Sequence, residues 1–164
     1  MQAGVRSDNG EAKITYLGNS LAKVNNNLNN VRYIKDCVNG STANAGNHWV
    51  ELQAIKNGIN VAKNKIVTAN HWVAPWGAGS LNTITDGDIT TSQYSDGGSD
   101  GLTCITVDLG QAYDLDEIAV WHYYGDPRTY NNNVTYVSVN NSTWTTVIST
   151  NAVETANGKR VSAY

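Results

Sequence analysis

The chain contains no phenylalanine and only two prolines, two cysteines and one methionine among 164 residues. Each shortage excludes something. Two cysteines, Cys37 and Cys104, are too few for a disulfide framework, and neither has metal-ligand neighbours, so both are read as buried thiols rather than a bridge. Charged residues make up only 15% and the net charge is −3, without the basic stripe of a nucleic-acid binder. No apolar run approaches the roughly 20 residues that span a bilayer. Residues 1–20 also lack the apolar core of a secretory signal. There is no glycine-rich phosphate loop, no CxxC pair and no recognisable nucleophile motif. Asp114, Asp116 and Glu117 crowd one connector and read as a solvated turn rather than a glycosidase pair. No enzyme is expected.

What is present is neutral polarity. Asn, Thr, Ser, Gly and Tyr dominate, with five Trp and nine Tyr, a surface better suited to sugars than to phosphates. The organising stretch is ITVDLGQAYDLDEIAVWHYY, residues 105–124. Its first arm, Ile105–Leu109, alternates apolar and polar residues and closes at Gly110, while Ile118–Tyr124 is β-branched and aromatic. Period-two alternation of this kind predicts strands half-buried against a second layer.

Further strands are predicted at Val31–Asp36, His48–Ile55, within Val61–Ala69, at Val134–Val139 and at Trp144–Ile148. Residues 70–83 and 85–101 read as loops, with Pro75 and Pro127 in loops as well. Many short strands and Gly/Asn turns indicate an all-β sandwich. Ahead of it, residues 1–13 form a polar arm, and Leu17, Leu21, Val24, Leu28 and Val31 make an a/d seam two heptads long. That seam is either a short oligomerising helix or a segment packed on a neighbour. The expected division is an arm with a possible short helix over 1–30 and a sandwich over 31–164.

Four motifs in order resemble the discoidin-like, coagulation-factor type C family: INVAKNKIVTAN (59–70), DGDITTSQY (86–94), ITVDLG (105–110) and VSVNNSTWTTV (137–147). The resemblance implies a galactose-binding-like jelly roll and, in many members, carbohydrate binding. Elements that usually end such a domain, VRYIKD (31–36) and NHWVELQAI (47–55), stand here at the front. A circular permutation accounts for this, because the ends of such a sandwich lie close together. Strand exchange between subunits is the alternative. The GSTAN…NHWVELQA element resembles phage tail, fibre and other virion proteins.

The resemblance further implies a structural Ca²⁺ held by Asp86, Asp88 and Thr91, with Glu154 as the distant carboxylate. An Asx turn at Asp86 is the plainer reading, and Asp96 and Asp100 read as solvated loop charges. Sugar recognition needs an aromatic plate for the C–H face of the ring and planar hydrogen-bonding groups for the hydroxyls. Two loops supply such groups: His71, Trp72 and Trp76 in one, His122, Tyr123, Tyr124, Arg128, Tyr130 and Asn133 in the other. Trp49, Trp121 and Trp144 read as core.

The expected function is therefore a non-catalytic glycan-adhesion module of a virion-associated protein. It would be released with the particle and would be virion-borne or extracellular. Its expected partners are a cell-surface glycan, other virion subunits through residues 1–30, and further copies of itself. A purely structural decoration protein is the alternative.

Overall fold

The computed structural model describes residues 27–71, the backbone of 74–76, and residues 81–99 and 101–163. The arm, most of the a/d seam and Trp72 lie outside these residues. The described part is a two-layer all-β sandwich, and among the described residues no helix is long and apolar enough to cross a membrane.

Eleven strands follow in order: β1 (Val31–Val38), β2 (His48–Lys56), β3 (Ile59–Asn60), β4 (Val67–Ala69), β5 (Ala74–Trp76), β6 (Tyr94–Asp96), β7 (Thr103–Tyr113), β8 (Glu117–His122), β9 (Val134–Ser138), β10 (Thr145–Ser149) and β11 (Lys159–Ser162). One sheet has the order β10-β9-β1-β7-β4, the other β11-β8-β2-β6-β5, with β3 paired to β2. All the pairings are antiparallel. The two arms of the organising stretch do not pair with each other. β7 lies in the first sheet and β8 in the second, and the polar connector crosses between layers.

Alternation explains the layering. Ile34 and Val38 of β1, Ile105, Val107 and Leu109 of β7, and Ile118 and Val120 of β8 all point inward and are solvent-inaccessible. With Leu52, Trp49 and Ile84 they form the main core. A smaller cluster of Val50, Ala119 and Trp121 lies on the other side of the second sheet, covered by Tyr94 and Tyr124.

Several sequence expectations need correction. Leu28 is buried in the core and Val31 opens β1, so the helical seam does not continue through residue 31. Gly110 does not close its strand: it takes φ +85°, and β7 runs on to Tyr113 beyond a shift of register against β1. Pro75 lies in β5, at the edge of its sheet, where a missing N–H costs no ladder bond. Cys37 and Cys104 are directly opposed on β1 and β7 and are joined as a disulfide. Trp144 is not core; it is half-exposed, with the Lys35 ammonium 3.9 Å from its ring centre. Trp49 and Trp121 are core, as expected.

Candidate functional site

Three polar groupings lie along the second sheet, and they differ in access to solvent. The innermost is closed. Asp36 projects from β1 between the layers and accepts hydrogen bonds from Trp49 Nε1 at 2.8 Å and Thr135 Oγ1 at 2.7 Å, with His122 Nε2 at 2.8 Å. The other face of His122 meets Glu154, whose Oε1 lies 3.4 Å from Nδ1, an ion-pair contact rather than an aligned hydrogen bond. Glu154 also takes Lys159 Nζ at 3.3 Å and the Asn133 amide at 3.2 Å. Burial alone would depress the His122 pKa, but the charges of Asp36 and Glu154 prevail and raise it to about 9.

This grouping overturns part of the expected ligand set. His122 and Tyr130 are fully buried and Asn133 is 2% exposed. They stand on inward-facing positions, so none presents a surface to a sugar. The expected metal ligand Glu154 is likewise inside, paired with His122 and Lys159 rather than with Asp86 and Asp88.

The carboxylate that does face those aspartates is Glu51. It lies on β2 opposite Trp121, inaccessible to solvent and covered by the loop after the 3-10 turn Leu81–Thr85. Its Oε2 has no hydrogen-bond partner among the described residues. Burial, with Asp86 and Asp88 adding their negative charge, pushes the Glu51 pKa up to about 8. Asp86 Oδ1 accepts from the Asp88 N–H at 2.7 Å, the Asx turn that the sequence allows, and Asp88 Oδ1 accepts from Thr90 N–H at 2.8 Å. Thr91 is half-buried in the turn that follows. A buried carboxylate with an orphaned oxygen beside two more carboxylates fits a hard, oxygen-seeking cation. Among the described residues no three acidic, imidazole or thiol side chains come together as a group that could hold a metal ion, so backbone and hydroxyl oxygens would have to supply much of the shell.

The third grouping is open. At the rim of the second sheet His48, the first residue of β2, pairs with Asp96 of β6, and its Nε2 is 3.7 Å from the Asp96 carboxylate. Its ring meets Tyr94 edge-on at 5.3 Å, and Tyr94 in turn meets Tyr123 at 5.1 Å. The Arg128 guanidinium lies 4.7 Å from the Tyr123 ring centre and is held in a two-pronged bond by Asp126. That bond keeps the guanidinium firmly charged. His48 Nδ1 is 3.0 Å from the Tyr130 hydroxyl, and burial holds its pKa below the usual value. Two glycines leave room for these rings. A Cβ at Gly46 would come within 2.6 Å of the His48 ring, and one at Gly125 within 2.6 Å of the Tyr123 ring. Tyr94, Tyr123, Tyr124, Asp96 and Asp126 remain accessible, while His48 and Arg128 form the floor at 8% and 5% exposure.

The rim and the carboxylate loop are tied together, because the Tyr124 hydroxyl donates to the Ile89 carbonyl at 2.7 Å. Backbone register sets Trp76 of β5 against Tyr94 of β6, next to the rim. His71 is exposed. Of the expected ligand set, then, Tyr124 and Arg128 converge at the rim. His48, Tyr94 and Asp96 were missed as site residues, since the pairing of β2 with β6 brings them together across 46 to 48 positions of sequence.

Compared with models of known protein families, with curated proteins and with solved structures, the chain matches none.

Proposed function

We propose that this chain is a non-catalytic glycan-binding module, and that the rim of His48, Tyr94, Asp96, Tyr123, Tyr124, Asp126 and Arg128 is its sugar site. The observation that carries this reading is the half-exposed Tyr94–Tyr123 pair flanked by a fixed guanidinium and two accessible carboxylates. Aromatic faces accept the C–H side of a pyranose, and rigid planar donors and acceptors read its hydroxyls. The residues are held by one another before any ligand arrives, which lowers the entropic cost of binding.

The same reading includes a discoidin-like jelly roll with permuted ends, and β1 and β2 lying inside their sheets rather than at an edge support it. It also includes a structural Ca²⁺ held by Glu51, Asp86 and Asp88, with Glu51 in the place first given to Glu154. The cation would offset the charge of these carboxyl groups and, through Tyr124 and Ile89, steady the rim. The virion-borne setting rests on the resemblance in residues 40–54, and the disulfide supports an oxidising, extracellular one.

The test is a glycan array read in Ca²⁺ and in chelator, on the native chain and on Tyr123→Ala and Asp96→Asn. A defined hit weakened about tenfold or more in both variants is expected. Binding that survives both would remove the rim from consideration, and a blank array with a folded protein would favour the structural-decoration alternative. For the cation, Ca²⁺ should raise the melting temperature of the native chain but not of Glu51→Gln. In chelator Glu51→Gln should be at least as stable as the native chain, because a neutral amide replaces a carboxyl group that burial already disfavours ionising.

A further inference from the structure

The outer face of the first sheet carries a groove that the rim does not reach. Its volume is about 490 Å³, within the range of roughly 300–1,000 Å³ typical of ligand sites. Tyr33, Thr106 and Asp108 form its floor on β1 and β7, with Thr68 of β4 beside them, and Lys65 and Asn141 are among the side chains that complete it. Cross-strand register gives the face its order. Thr68, Thr106, Lys35, Tyr136 and Thr146 are successive partners across all five strands, and Tyr33 pairs with Asp108 one row away.

Both ends of the groove are held in shape. The turn containing Asn141 is fixed by Ser138 Oγ, which accepts the amides of Asn140 and Asn141, and by Asn140 Oδ1, which accepts those of Ser142 and Thr143. At the other end Thr85 Oγ1 donates to the Lys65 carbonyl at 2.9 Å, and the Asn64 amide donates to the Thr85 carbonyl at 2.7 Å. The groove therefore does not have to form around a ligand.

Its charge runs against that of the chain. The net charge of the whole sequence is −3, yet among the described residues this face presents Arg32, Lys35 and Lys65 beside the carboxylate of Asp108. That carboxylate is already engaged by Arg32 at 3.0 and 3.1 Å. Lys35 has aromatic rings for company, Trp144 at 3.9 Å and Tyr136 at 5.1 Å, and no ion pair among the described residues. Lys65 has none there either, and its ammonium lies 3.6 Å from where a Cβ of Gly110 would stand. The Lys65 ammonium, which acts on Asp108 only from beyond ion-pair distance, a phenol, hydroxyls and amides line the trough, and Lys35 stands beside it on the same face; together they are complementary to a polyhydroxylated anion.

We infer that this groove binds an acidic glycan, with a sugar ring on Tyr33 and its carboxylate or sulfate groups at Lys65 and Lys35. The site is separate from the rim and stands even if the rim binds nothing.

The experiment is native electrophoresis of the full chain through gels containing polygalacturonate, dextran sulfate or neutral dextran, with single-stranded DNA as a further polyanion. Retardation by polygalacturonate or by dextran sulfate, and not by neutral dextran, is expected. Which of the two is retarding tells carboxylate from sulfate ester. Lys65→Glu and Tyr33→Ala should each weaken it about tenfold, and Tyr123→Ala at the rim should not. Near-UV circular dichroism checks that the variants fold, and Lys65→Glu, at a half-exposed position, keeps the test alive if Tyr33→Ala does not. No retardation by either acidic polysaccharide would overturn the proposal. Retardation unchanged in Lys65→Glu, or equally strong with DNA, would also overturn it, since bare charge would then suffice.

Discussion

The buried grouping around His122 and the open one around His48 use the same kinds of residue and share Tyr130 as a common wall. The Tyr130 ring is 5.0 Å from that of His122, and its hydroxyl is 3.0 Å from His48 Nδ1. They nonetheless do opposite things. His122 is enclosed by Asp36 and Glu154, and its imidazole is held charged. His48 is partly desolvated beside Arg128, with one carboxylate at 3.7 Å, and its pKa is pulled down. A histidine next to carboxylates is thus a tie between two layers in one place and the floor of a site in the other. The difference is whether the sandwich closes over it.

The comparison can be broken most forcefully at Asp36. Asp36→Ala would leave His122, Trp49 and Thr135 without their shared acceptor, and removal of one partner from a buried ion pair costs about 3–5 kcal/mol. Chemical denaturation should show that loss with the slope unchanged. A loss under about 1 kcal/mol would mean that the network is not what joins the layers.

A gentler probe is pH. The folded His122 pKa of about 9 lies above its unfolded value of 6.5, so this group's contribution to stability is complete below 6.5 and declines as pH rises through 9. Melting temperature should therefore fall by several degrees between pH 6.5 and 9. The measurement belongs in a Glu51→Gln background, because Glu51 itself loses a proton near 8 and lowers stability over the same interval. A flat profile there would remove the charged histidine from the account.

The smallest effect on stability is expected at the rim. Tyr123→Ala deletes a half-exposed ring and should cost about 1 kcal/mol or less, well below Asp36→Ala, while it weakens glycan binding about tenfold. If it destabilised the chain as much as Asp36→Ala, the rim would be core and the contrast would collapse.

How much of this was legible beforehand varies with distance along the chain. The strands at 31–38, 48–56, 134–138 and 145–149 follow from local alternation and turn chemistry, and the structure places their ends within two residues of expectation. β6 was hidden, since three residues inside an Asp/Gly/Thr-rich stretch carry no period to read. Glu51 stands in the middle of an apolar run, WVEL, which was a signal that a carboxylate there would need a partner. The family resemblance pointed to Glu154 instead, and no local pattern says which carboxylate the 86–91 loop covers. Trp144 read as core because large aromatics in strand-like segments usually are, yet its position just before β10 turns it outward onto Lys35.

The sequence by itself determined an all-β chain, the inward-facing half of its strands and the inventory of aromatic, amide and carboxylate groups. These follow from period-two patterning and composition, which are properties of neighbours along the chain. Only the tertiary structure decided that Cys37 meets Cys104, that His122 is enclosed while His48 is not, and that Glu51 rather than Glu154 faces Asp86 and Asp88. Each of those depends on which strands become partners and on which side of a sheet a loop folds. Such choices are set by the simultaneous burial of residues far apart in sequence, and no local pattern carries them.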